Sequence, residues 1–394
     1  MSKKLDTIWE AEPHTIIKID ILKSYVDAWF PILATSFPKP ILYVDGFAGP
    51  GYYTNHLTGS PLAALQSIKN TLVRDNIKII SPKITCAFIE KDKDRFNVLE
   101  SVLEEYRKEK KLEIKTFNTS FDEGMQQLET EYPDSFNGKD PIFVFADPFG
   151  GTGISFSTFK RCMEGTSCEL LINLDTDGVA RIFQARNNKW EEQLTSLFGE
   201  ECWRDKLSEG TDTNTLKIQI LDLYKECLRK IPGVDYIWHF TMRGKQDSLN
   251  YNLVFATKHH RGLEKMKEAM KAVDITGNYS FSDAHMGQRY MFRNDDGEIY
   301  AEAAYKKFCD QSLSMDEMKK YALNETPFLN SKAILRKLDD DGKVEITPIP
   351  GEKIKKGSFP EDKILKIRFV TVCSKLKQTS FFLNYAQQNP HRMD

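Results

Sequence analysis

The sequence predicts a doubly wound α/β domain of Rossmann-like form, followed by a smaller helical domain that closes in a hairpin. Three observations predict it. An apolar run, Ile41 to Val44, ends in Asp45 and then meets Gly46, Gly49 and Gly51, the pattern of a buried strand entering a loop that lets backbone pass close to a ligand. Strand-like and helix-like stretches alternate from there to Thr257, which argues for a parallel sheet covered on both faces. After a polar stretch, Gly277 to Gly297, three short helical patterns precede two strand patterns joined by a basic connection.

The elements follow in order. His14 to Phe37 reads as one helix with Ile17, Ile21, Tyr25 and Ala28 on a stripe beside Leu22, Trp29 and Leu33. His14 and Lys18, one turn apart, read first as a solvated helix start and alternatively as side chains facing the glycine loop. The first strand and its loop lead to a helix with Ser60 as N-cap and Pro61 at its first position. Leu62, Leu65, Ile68 and Leu72 form its stripe. Ile84 to Ile89 is a second strand that ends at Glu90, and Lys91 to Lys111 a charged helix with Phe96, Leu99, Val102, Leu103 and Tyr106 inward.

Leu112 to Phe117 alternates like a strand. A polar turn, Asn118 to Asp122, opens a helix through Leu128, and Pro133 to Pro141 is read as a loop. The wholly apolar Ile142 to Ala146 suits a central parallel strand and ends in Asp147-Pro-Phe-Gly150. Glu169 to Leu174 is the fifth strand, and residues 179–230 form a helical insertion. Tyr236 to Met242 and Tyr251 to Thr257 pair as the last two strands, and Leu263 to Val273 adds a helix. Five β/α units closed by two strands form the seven-stranded class I methyltransferase sheet. The predicted domain spans residues 1–290, with its first helix at 14–37.

The second predicted domain, residues 298–377, holds helices at Ala301 to Leu313, Met315 to Leu323 and Asn330 to Leu338, then strands at Lys343 to Thr347 and Lys363 to Phe369. Three helices and a hairpin with a basic tip make a winged-helix-like arrangement. Lys332 to Lys377 carries 12 basic and 7 acidic residues in a chain whose net charge is −2. Lys353, Lys355 and Lys356 on the wing are the expected contacts to nucleic-acid phosphates. Protein-docking winged helices carry similar charge.

Composition bounds the rest. The 394 residues allow one large and one small core. No apolar run reaches membrane-spanning length, and the first ten residues lack a signal core, so a cytoplasmic location is expected. Seven scattered cysteines without a C-x-x-C pair point to reduced thiols and to no metal site.

The glycine spacing is G-x-x-G-x-G, and the polar loop from Tyr52 to Gly59 separates it from the next helix. A dinucleotide fingerprint sets a helix N-terminus directly on the glycines. A loop without that helix end suits a nucleoside whose tail is an amino acid, which describes S-adenosylmethionine. The same turn also occurs in other α/β enzymes. Glu90, a carboxylate ending the second strand, suits a ribose diol.

Asp147 ends a central strand and so lies beside the Asp45 loop. Amino-group methyltransferases carry Asp/Asn-Pro-Pro-aromatic at this place. The chemistry needs such groups, because an exocyclic amine conjugated to a base is a poor nucleophile. A carboxylate and the Pro148 carbonyl accept its two N–H bonds and hold it in line, and Phe149 stacks on the base. A strand-ending turn at Asp147 to Gly150 is the plainer alternative.

On these residues the chain resembles the three-Cys-motif partner family, which has a class I S-adenosylmethionine-dependent methyltransferase-like fold. The matching pieces are His14-Thr-x-x-Lys18, Tyr43-Val-Asp-Gly-Phe-Ala-Gly-Pro-Gly51, Gly59-Ser-Pro61, Phe88-Ile-Glu90, Ala146-Asp-Pro-Phe-Gly150 and Asp175-Thr-Asp-Gly178. The resemblance covers about the first 290 residues and implies a companion protein with three cysteines, similar to radical S-adenosylmethionine enzymes, which would hold any cluster. Asp147-Pro-Phe-Gly150 is also similar to the D-P-F-G of tRNA guanine-N2 methyltransferases, more than to the D-P-P-Y of adenine-N6 enzymes.

The expected function is therefore methyl transfer from S-adenosylmethionine to a base amino group in RNA or DNA. Asp45, Gly46, Gly49 and Gly51 are expected at the methionine end of the cofactor, Glu90 at the ribose, and Asn118 and Ser120 at the adenine, with Phe47 and Lys91 also expected to bind the cofactor. Asp147, Pro148, Phe149 and Gly150 are expected at the acceptor. The alternatives are a cofactor-binding adaptor for the companion protein, without transfer of its own, and a methyltransferase for protein or a small molecule.

Overall fold

The computed structural model describes residues 7–55, 57–148, 150, 153–274, 277–285 and 297–371. They divide into two compact units at the 294/295 boundary. No helix among them is long and apolar enough to cross a membrane.

The first unit runs α1 (Pro13–Ser36), β1 (Ile41–Asp45), α2 (Ser60–Leu72), β2 (Ile84–Ile89), α3 (Lys93–Leu103), β3 (Leu112–Phe117), α4 (Phe121–Glu131), α5 (Pro133–Phe136), β4 (Ile142–Ala146), α6 (Phe156–Met163) and β5 (Cys168–Leu174). It continues with α7 (Thr176–Ala185), α8 (Trp190–Phe198), α9 (Trp203–Lys206), α10 (Thr213–Arg229), β6 (Tyr236–Arg243), β7 (Leu249–Thr257), α11 (His260–Val273) and β8 (Ser280–Ser282). One sheet takes the order β3-β2-β1-β4-β5-β7-β6-β8. The first five strands are mutually parallel, while β7 runs antiparallel between β5 and β6.

Strand alternation sorts the core into two layers. Leu42, Val44, Ile142, Val144, Leu170 and Ile172 share one apolar cluster with Met125, Phe159 and Tyr224 of α4, α6 and α10. Tyr43, Phe143 and Phe255 turn to the opposite face, where Tyr25 of α1 lies 5.2 Å from Phe143 and 5.1 Å from Phe255, ring to ring. The chain fills β1 to β3 on one side and crosses to β4 on the other. The switch between β1 and β4 opens a crevice at the carboxyl ends of the strands, where ligands bind in such sheets.

The second unit comprises α12 (Gly297–Phe308), β9 (Ser312–Leu313), α13 (Met315–Glu325), α14 (Lys332–Asp340), β10 (Val344–Pro348) and β11 (Ile364–Phe369), with sheet order β10-β11-β9. Met318, Ile334, Leu335, Leu338, Ile367 and Phe369 anchor its separate core. α13 opens on a reciprocal cap between Ser314 and Glu317, which satisfies amides at the helix start.

Several expectations are corrected. The sheet has eight strands rather than seven, because Ser280–Ser282 pairs with Thr241 to Arg243 along the edge of β6. Its polar composition reads as linker, and only a neighbouring edge makes it a strand. The linker expected from Gly277 therefore begins no earlier than Asp283, and residues 286–296 lie outside the described residues. α2 starts one residue earlier than expected, with Gly59 and not Ser60 at the cap, since the Gly59 amide donates to Gly51 O at 2.8 Å. α3 covers only 11 residues and ends before the turn at Tyr106. The stretch from Pro133 holds the short α5. The expected second-domain boundary at residue 377 also lies outside the described residues.

Candidate functional site

The glycine loop and the end of β4 come together by register. Asp45 pairs with Phe145, and the Gly46 amide donates to Phe145 O at 2.9 Å. A cleft of about 1020 Å³ opens above them, at the upper end of ordinary small-molecule sites. Of the expected residues, Gly46, Phe47, Glu90, Lys91, Ser120 and Pro148 line it. The outer wall comes from Lys189, Gln193 and Ser196 at and within α8, residues that the sequence reading did not select.

Gly46 is small for a packing reason. A Cβ there would stand 2.5 Å from Cδ2 and Cε2 of Phe121, whose ring stacks on Phe47 at 5.3 Å and 18°. Gly49 and Gly51 take positive φ, 62° and 86°, which glycine adopts without strain. Gly51 does not line the cleft: it packs beneath Gly59, and an added Cβ would meet Val102 at 3.0 Å. Its place in the structure is the close crossing of two backbones, and Gly49 is likewise not among the residues that line the cleft.

Asp45, at the end of β1, is fully buried and is not among the residues that line the cleft. Its Oδ1 accepts the Phe47 amide at 3.3 Å, while Oδ2 has no hydrogen-bond partner. Burial pushes its pKa to about 7, against the lowering pull of the Ser60 hydroxyl and the Phe47 amide; Asp147 and Glu90 push it further up. Glu90 Oε2 accepts the Gly49 amide at 2.9 Å and Oε1 the Asp92 amide at 2.7 Å. Burial raises its pKa, partly offset by those two amides. Each oxygen keeps a further lone pair for a hydroxyl donor.

Asn118 supports the loop from behind: its Nδ2 donates to Glu90 O at 2.9 Å and Lys91 O at 3.2 Å. Ser120 caps α4 in a reciprocal bond with Glu123. Phe149 lies outside the described residues, and Gly150 is exposed with a φ of 84°.

Asp147 is not a bare carboxylate. The Lys18 ammonium of α1 pairs with Oδ2, and Asn173 Nδ2 of β5 donates to Oδ1 at 2.6 Å. Lys18 is 8% exposed and also lies 5.5 Å over the Tyr251 ring of β7. The solvated helix start expected at this lysine is thereby corrected. His14 pairs with Asp283 at 3.0 Å and Glu12 at 3.2 Å.

Two signals could have found these partners. Lys18 shares the inward stripe of α1 with Ile21, Leu22 and Tyr25, and a lysine there requires a buried counter-charge. Asn173 interrupts the apolar run Leu170 to Leu174 of β5, where a buried amide requires a partner. No pattern marked Tyr251.

Glu200, Cys202 and Cys227 have ligand atoms within 4.8 Å of one another. The Glu200 carboxylate there already holds the Lys230 ammonium.

No protein-family model matches the chain, and no curated protein sequence matches it. Among solved structures it is similar to the O-methyltransferase from Bacillus cereus in complex with SAH, at 12% identity, covering 63% of this chain and 83% of that one with a TM-score of 0.35. It is also similar to the SAH-bound Podospora anserina methyltransferase PaMTH1, at 12% identity, 64% and 99% coverage and a TM-score of 0.27. With scores below 0.5, the case for the fold rests on the strand order and register given above.

Proposed function

We propose that the first unit is a class I methyltransferase domain that binds S-adenosylmethionine in this cleft and methylates an exocyclic amino group of a base in RNA or DNA. The carrying observation is the adjacency of Asp45 and Asp147 at neighbouring strand ends, with Gly46, Phe47 and Pro148 on the walls of one cleft. The residues fit that cofactor. Asp45 Oδ2, buried without a donor, suits the ammonium of an amino-acid tail, and Glu90 retains lone pairs for ribose hydroxyls. Gly46 leaves room at the loop that a side chain would take from Phe121.

When bound, the cofactor supplies the methyl group on a sulfonium, the electrophile of the reaction. The chain's residues position the nucleophile. Lys18 and Asn173 occupy one site on each oxygen of Asp147, so one acceptor site on each remains for an amine N–H. The Pro148 carbonyl takes the second N–H. Held in this way, the amine would present its lone pair to the methyl group that the cofactor would supply.

The second unit contributes the polynucleotide contact as a winged-helix-like domain. Lys353, Lys355 and Lys356 are exposed between β10 and β11 and form no ion pair among the described residues. Unpaired cations on a hairpin tip suit phosphates.

One observation favours the second reading, a cofactor-binding adaptor for a companion three-Cys-motif protein: Asp147 is already engaged by Lys18. Incubation of the purified protein with methyl-labelled cofactor and pooled cellular RNA or DNA separates the two. Label in the nucleic acid that disappears in Asp147→Ala supports transfer, and a protein that binds the cofactor yet labels nothing supports the adaptor.

A further inference from the structure

We propose that Lys18 is a positioning residue of the transfer site, which makes the acceptor subsite selective for an uncharged amine over an ammonium. The inference rests on the reading of the cleft as an S-adenosylmethionine site. Its basis is the arrangement around Asp147. Lys18 reaches Oδ2 from α1 and Asn173 reaches Oδ1 from β5, so the carboxylate is held from two sides. His14, one turn earlier on the helix, is engaged by Asp283 and Glu12. Lys18 is thus the cation that neutralises Asp147 among the described residues.

A buried lysine–carboxylate pair is a weak source of stability, because desolvation offsets most of its attraction. Two neighbouring polar atoms are also left open. The Tyr251 hydroxyl and Asn173 Oδ1 are buried without hydrogen-bond partners, and Tyr251 lies under the Lys18 ammonium. A neutral pair flanked by open polar atoms accepts a hydrogen-bonding amine and offers no free charge to a cation. Base amines are uncharged at neutral pH, whereas aliphatic amines are protonated and would face Lys18 without a counter-ion.

The test uses two ligands and needs no acceptor: S-adenosylhomocysteine, and sinefungin, which carries a primary ammonium where the sulfonium methyl would be. In Lys18→Met, the ratio of sinefungin affinity to S-adenosylhomocysteine affinity should rise about tenfold over wild type, because the carboxylate is left unpaired. Lys18→Arg should keep the wild-type ratio, and Lys18→Met with Asp147→Asn should return to it. Asp147→Asn alone should lower the ratio about tenfold, an independent arm should Lys18→Met fail to fold. Ratios unmoved by either single variant, with S-adenosylhomocysteine still bound, overturn this inference alone. Absence of S-adenosylhomocysteine binding in wild type overturns the cofactor reading and the inference with it.

Discussion

The Lys18 ammonium, carried by the helix that precedes the sheet, meets Oδ2 of Asp147 at the end of β4. The pair joins α1 to the end of β4, next to the cleft-lining Pro148. It means that Asp147 enters any reaction as a held carboxylate with its charge already compensated.

A stability prediction follows from that pairing. Lys18→Met removes a buried cation and leaves the partly exposed Asp147 carboxylate with Asn173 alone. It should cost on the order of 2–3 kcal/mol, less than the roughly 3–5 kcal/mol of a wholly buried pair. Lys18→Met with Asp147→Asn should recover most of the loss. Denaturant unfolding of the four proteins measures the cycle, and additive losses would mean that the two side chains are not coupled.

Glycine at position 46 should matter more than glycine at 49. Gly46→Ala drives a methyl into the buried Phe121 ring, an overpacking cost of about 1–3 kcal/mol, and shifts the wall shared with Phe47. Gly49→Ala meets only the Trp9 ring, at an ordinary 4.0 Å, with a φ of 62°, so only the left-handed strain of about 1–2 kcal/mol applies. Calorimetric titration with S-adenosylhomocysteine should give at least about a tenfold loss for Gly46→Ala. Equal binding by wild type and Gly46→Ala would remove the loop from the site.

The raised pKa of Asp45 yields two opposite pH dependences. Burial holds both Asp45 and Glu169 protonated up to about pH 7 in the folded chain, whereas in the unfolded chain they ionise near their ordinary values. Between those limits the folded state binds more protons, so the stability of the free protein should fall as pH rises through that window and level above about 7. A ligand whose ammonium sits against Asp45 needs the ionised form, with Glu90 and Asp147 the other carboxylates nearby. Affinity for S-adenosylhomocysteine should therefore rise with pH by up to about tenfold per unit below 7. A dissociation constant unchanged between about pH 5.5 and 8 argues that Asp45 touches no cationic ligand.

Nucleic-acid binding through the connection between β10 and β11 should depend on salt. Charge reversal of Lys353, Lys355 and Lys356 to glutamate should weaken binding to mixed-sequence nucleic acid and reduce its salt slope by about 2–3. S-adenosylhomocysteine binding by the first unit should not change. An unaltered slope in a protein that still binds nucleic acid would transfer the phosphate contact elsewhere.

Much of this was legible in the chain. Periodicity located β1, β3 and β4 to the residue, because apolar runs bounded by turn residues have only one way to be buried in a covered sheet. The cleft residues Gly46, Glu90 and Pro148 were also accessible to sequence reasoning, since each lies within two residues of a strand end and strand ends of parallel units point the same way. Short polar pieces were not legible: Ser280–Ser282 acquires its hydrogen bonds from β6 and has no pattern of its own.

By itself, then, the sequence determined the alternation of strands and helices, the apolar faces and the acids and glycines at the strand ends, all of which depend on near neighbours in the chain. Only the tertiary structure decided that Lys18, Asn173 and Tyr251 gather at Asp147, that Gly51 serves a backbone crossing, and that α8 walls the cleft. Apart from the Gly51–Gly59 crossing, those relationships join residues tens to hundreds of positions apart; a buried lysine or amide signals that it needs a partner, but charge pairing and close packing act through space, so no local pattern says which partner it meets.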